Sequence, residues 1–83
     1  MMSNIEKMAS MVAWMDRLHC AIENPGEPIY MKGDLAIVYV ADSKFFHIAE
    51  EEEIVLSFKN RGHLTSMAKT IMAYLYGDLA FPL

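Results

Sequence analysis

Between two polar turns, Gly33-Asp34 and Asp42-Ser43-Lys44, the chain runs for seven residues, Leu35 to Ala41, without a charged side chain. Ile, Val and Tyr dominate the run, and such residues favour a strand. Side chains alternate across a strand, so Leu35, Ile37 and Tyr39 point one way and Ala36, Val38 and Val40 the other. Both sets are apolar. An antiparallel strand with one wet face would alternate apolar with polar residues. Both faces of this strand are therefore expected to be covered.

The chain has little with which to cover them. Eighty-three residues make a single domain, 1–83, with no room for two cores. A domain of this size buries only about 60–65% of its unfolded surface. It should therefore be less apolar than average, yet 54% of its residues are apolar, against about 45–50% in ordinary soluble domains. Eight residues are Met. Met fills gaps in cores, and it also recurs on binding surfaces that accept several shapes. Both roles are open at this level.

The elements on either side follow from local signals. Ser3 followed by Glu6 is a capping box, and apolar residues recur at Ile5, Met8, Met11, Val12, Met15, Leu18 and Ile22. This predicts a helix over Asn4–Glu23, ended by Asn24-Pro25-Gly26. Strands are predicted at Ile29–Lys32, Leu35–Ala41, Phe45–Ala49 and Ile54–Phe58, the last with Ile54, Leu56 and Phe58 on one face. The acidic run Glu50–Glu53 is an unusual strand junction, and AEEEEIVLSF also suits a helix start with acids in its first turn. A second helix is predicted over Arg61–Tyr76, capped by Asn60 and stopped by Gly77. The tail Leu79–Leu83 is apolar and is expected to fold back or meet a partner.

The fold class is therefore α+β, in the order α-β-β-β-β-α. Short connections imply an antiparallel meander of three to four strands with two helices packed on it. If both helices take one face, the other is left for a second copy or another protein; one helix on each side is the alternative. On the first helix, Met8, Met11, Val12, Met15, Leu18 and Ile22 share an arc about 120–140° wide, and Trp14 falls outside it, roughly 100° from its centre. Trp14, flanked by Met11 and Leu18, resembles a binding anchor, or else packs under the C-terminal tail.

Chemistry is sparse. His19, His47 and His63 are scattered, with no Cys, His or carboxylate at metal-ligand spacing, so no metal or other cofactor is expected. No nucleophile elbow is present, and consecutive Glu are a poor acid–base pair. An enzyme is not expected. Seven basic residues against eleven acidic ones, a net charge of −4, disfavour direct nucleic-acid binding. The single Cys20 fits a reducing compartment, and no run is long or apolar enough to span a bilayer or has the order of an export signal, so a cytoplasmic location is expected. Met1 and Met2 leave two candidate starts.

The expected role is a non-enzymatic protein binder, a homodimer acting as an inhibitor or adaptor. Its interface is placed on Met11, Trp14, Met15 and Leu18 of the first helix and on Val38 and Val40 of the central strand. The acidic patch Glu50, Glu51, Glu52 and Glu53, with Asp42 across the meander, suits a partner with a basic surface, or is a solubilising rim. Lys59, Arg61 and His63, beside free helix amides, are the alternative site, for a small anion or nucleotide. In size, acidity and lack of catalytic motifs the chain resembles the small accessory proteins of phages and mobile elements that block host or defence enzymes. The likeness is one of profile and not of motif.

Overall fold

The computed structural model describes residues 3–77. It is an α+β fold in the predicted order: α1 (Asn4–Glu23), β1 (Tyr30–Lys32), β2 (Leu35–Val40), β3 (Phe45–Glu50), β4 (Glu53–Lys59) and α2 (Leu64–Tyr76). The four strands form one antiparallel sheet in sequence order, β1-β2-β3-β4. The apolar tail expected to fold back, Leu79–Leu83, lies outside the described residues, as do Met1 and Met2.

The capping box forms as the sequence requires. The Ser3 hydroxyl accepts from the Glu6 amide at 3.1 Å, and Glu6 Oε1 accepts from the Ser3 amide at 3.2 Å. That hydrogen bond from the Ser3 backbone is the main cause holding the Glu6 carboxyl below its ordinary value. A carboxylate with a lowered folded pKa adds stability above its unfolded pKa and loses it as pH falls through the folded one. Ser3→Ala is expected to cost about 1 kcal/mol at neutral pH. Glu6→Ala removes the titrating group itself, and its difference from wild type should shrink below the carboxylate range, as urea titrations across acid pH would show.

Three hairpin turns set the register. Lys32 pairs with Leu35 across Gly33-Asp34, and Gly33 takes φ +59°, which a side chain would resist. Val40 pairs with Phe45 across a four-residue loop. Glu50 pairs with Glu53, so the acidic run is a two-residue hairpin turn and not a helix start. Glu51 and Glu52 both take positive φ, 51° and 69°. Two non-glycine residues in the left-handed region store about 1–2 kcal/mol each. Glu51→Asn with Glu52→Gly, residues suited to such a turn, is expected to raise the unfolding free energy by about 1–2 kcal/mol. A higher urea midpoint at unchanged slope would be the readout.

Every strand end lies within one residue of expectation, and the larger departures are at the start of the second helix and inside β4. The second helix starts at Leu64, not Arg61, because Gly62 sits at φ +81°, outside helical space. Asn60 does not cap it; its side-chain oxygen accepts from the Gly62 amide at 3.0 Å and closes a turn, while His63 stands at the N-cap without a side-chain bond. In β4 a bulge opposite Ile48 and Ala49 breaks the alternation. Leu56 and Phe58 stay on the core side, but Ile54 pairs with Ala49 and turns to the other face.

Both helices lie on one face. Met11, Trp14 and Leu18 of α1 and Met67, Ala68, Ile71 and Met72 of α2 share one cluster with Ile37, Phe46 and Ile48 of the sheet. The register puts those three sheet residues on a common side, since Ile37 pairs with Ile48 and Tyr39 with Phe46.

The facing of α1 differs from the arc its apolar residues suggest. Met11, Trp14, Leu18 and Ala21 are buried, whereas Ile5, Met8 and Val12 are exposed, Val12 by 62%. The helix is rolled about 70° from the predicted orientation. Trp14 explains the roll, because it is the largest side chain of the helix and dominates what burial can gain. Only 2% of it remains exposed. Its ring meets Tyr30 edge-on at 5.1 Å, its Nε1 donates to the Tyr76 hydroxyl at 3.4 Å, and the Arg17 guanidinium caps it at 4.8 Å.

Candidate functional site

One face of the sheet carries the core, and the register defines the other. Ala36, Val38 and Val40 of β2 stand beside Ala49, His47 and Phe45 of β3. Met31 of β1 pairs with Ala36, and Ile54, Ser57 and Lys59 of β4 pair with Ala49, His47 and Phe45. None of the apolar residues of this face packs against the core cluster. Met31 is 67% exposed, and Val40, Ile54 and Val55 are exposed as well. Monomeric proteins rarely leave a contiguous apolar patch of more than a few hundred Å² in water, and larger ones mark binding surfaces.

The polar groups of this face are few. His47 Nδ1 and Ser57 Oγ share a hydrogen bond of 2.6 Å near its centre, and the His47 ring stacks on Phe45 at 6.1 Å. That bond uses one ring nitrogen of His47 and part of the capacity of the Ser57 hydroxyl, so the second ring nitrogen, Nε2, turns to water or to whatever covers the face. Lys59 stands at one corner.

Not all of the residues expected to form an interface lie on the surface. Met11, Trp14 and Leu18 are buried in the core, and Met15 packs against it. The roll of α1 brings Trp14 into the core beside Met11 and Leu18 and exposes Ile5, Met8 and Val12 instead. Trp14 is covered by Tyr30, Arg17 and Tyr76. Val38 and Val40 do lie on the open face. Met31, Phe45, Ile54 and Val55 were not singled out from the sequence. Strand alternation carried the signal for Phe45 and the two-residue turn carried it for Met31, but the bulge hid Ile54.

Glu50 to Glu53 cluster at the β3–β4 turn. Asp42 is not beside them: it lies in the β2–β3 loop at the opposite end of the strands. Asp34 takes that place, its carbonyl accepting from the Glu51 amide at 3.1 Å. Glu50 turns to the helix side and accepts from the Tyr74 hydroxyl at 2.5 Å, and this bond pushes the Tyr74 pKa up. Lys59, Arg61 and His63 come together at the other end, around an open depression of about 300 Å³ with Ser66 and Thr70. Among the described residues no three His, Cys, Asp or Glu side chains converge as metal ligands. No helix among them is long and apolar enough to cross a membrane.

No protein-family model matches this chain, and comparisons with curated proteins and with solved structures likewise give no match.

Proposed function

We propose that this chain is a non-enzymatic protein-binding module, an inhibitor or adaptor, whose interface is the open face of the sheet. The observation that supports the reading is the bare apolar face itself, built by Val38, Val40, Phe45, Ile54 and Met31 on the side without helices. Leaving such a surface in water is unfavourable by about 25 cal/mol per Å², so association that covers it is driven by burial. The occupant is a second copy of the chain, another protein, or both in turn. A reducing, cytoplasmic setting suits the exposed thiol of Cys20. The test is affinity capture from the native host with wild-type protein and with Val38→Lys as baits. A partner held by wild type and lost by Val38→Lys is the expected result. Equal capture by both baits would rule out the open face.

A second reading has its own observation. Lys59, Arg61 and His63 border one depression next to the α2 start, where the amides of Leu64, Thr65 and Ser66 have no intrahelical acceptor. A small anion or nucleotide suits that setting. Thermal shift with phosphate and a nucleotide panel tests it: stabilisation that Arg61→Ala abolishes supports the reading, and a flat response to every anion removes it.

A further inference from the structure

We propose that the open face is covered by a second copy of the chain, packed face to face with its strands reversed, about a two-fold axis crossing β2 and β3 near Val38 and His47. The inference rests on reading this face as a protein interface, and it adds the occupant and the orientation. The sheet is polarised along its strands. At the end carrying the β1–β2 and β3–β4 turns stand Asp34, Glu51 and Glu52 in the turns themselves, with Glu50, Glu53 and Lys32 on the helix side of the adjoining strand ends. At the other end stand Lys44 of the β2–β3 loop, Lys59 and Arg61, with Asp42 as the acid of that loop.

A face-to-face pair with two-fold symmetry has its axis in the plane between the sheets. If the axis runs along the strands, acidic end meets acidic end, and the repulsion opposes association. If it runs across them, each acidic end lies over the partner's basic end, and the two contacts are identical by symmetry. The second arrangement places the apolar rows over one another, with the strands of the two sheets aligned to within about 30°. The product has four layers, with helices outside and two sheets inside.

The size of the face fits this occupant. Four strands about 4.8 Å apart and about six residues long at 3.3 Å each make a patch of roughly 20 × 20 Å. A partner of the same dimensions covers it fully. At about 400 Å² per partner the interface is smaller than the ~800 Å² per partner of standard stable complexes, so weak association, micromolar at best, is expected. The hydrogen-bonded His47 and Ser57 lie near the axis, where their mutual bond survives the exclusion of water and the second ring nitrogen of His47 needs a partner across the seam.

Sedimentation velocity on the full chain, over micromolar concentrations and at two salt levels, tests the proposal. Wild type should form a two-chain particle that weakens as salt rises. Val38→Lys, or Val40→Lys should the first fail to fold, should be a folded monomer. Lys44→Glu with Lys59→Glu should weaken the dimer by about tenfold or more, and adding Glu51→Lys with Glu52→Lys should restore it. A dimer unaffected by the lysine variants overturns the proposal, and so does a charge swap that the reciprocal swap does not rescue. A strictly monomeric wild type also overturns it. In that case loss of partner capture in Val38→Lys keeps the interface reading and refutes only the second copy as occupant, whereas retained capture refutes both.

Discussion

Trp14→Ala is expected to lower the unfolding free energy by about 3–5 kcal/mol, whereas Val12→Ala, two residues away, should change it by no more than about 0.5 kcal/mol. The contrast follows from the roll of α1. Trp14 lies under Tyr30, Arg17 and Tyr76, and its ring forms part of the core. Removing it leaves a cavity between α1 and the sheet, orphans the Tyr76 contact and takes away the surface on which Arg17 rests. Val12 points to solvent, so its truncation removes little that folding had buried. Domains of this size hold on the order of 4–12 kcal/mol in all, so Trp14→Ala should remove a large share of the total. Urea titration followed by far-ultraviolet circular dichroism gives both numbers. Similar losses at the two positions would refute the helix orientation.

Local chemistry made the elements legible. The Ser3–Glu6 box and Asn24-Pro25-Gly26 bracket α1 at both ends, and Gly33-Asp34 fixes the first hairpin. Facing was harder to read. Apolar residues of α1 extend from Val12 and Ile5 around to Trp14, far more than one buried stripe needs. Only packing decides which part of so wide an arc meets the sheet. In β2 both alternating sets are apolar, so the strand itself does not reveal its core side. The neighbouring β3 breaks the tie, since Phe46 and Ile48 flank His47, and the histidine goes outward. The bulge in β4 has no composition signal, and so Ile54 was assigned to the wrong face. The acidic run was ambiguous because glutamate is a poor residue for a left-handed turn, and the hairpin forms in spite of it. The candidate site was legible as a surplus of apolar surface. Its location needed the register.

Two adjacent residues test the central claim, that one face of this sheet is core and the other is an open interface. Ile37 is fully buried under the helices, and Val38 points away from them. Ile37→Lys forces an ammonium into an apolar cluster with no buried acid to pair it, a cost of about 4 kcal/mol or more. Val38→Lys sends its ammonium into solvent from the open face. The measurement is urea unfolding of the two variants beside wild type, at concentrations low enough to keep every chain single. The account predicts that Ile37→Lys is largely unfolded in buffer, while Val38→Lys unfolds with the wild-type slope and within about 1 kcal/mol of the wild-type free energy. Unfolding of both variants would mean that both faces are covered within one chain, which contradicts the open interface on which the proposed function depends.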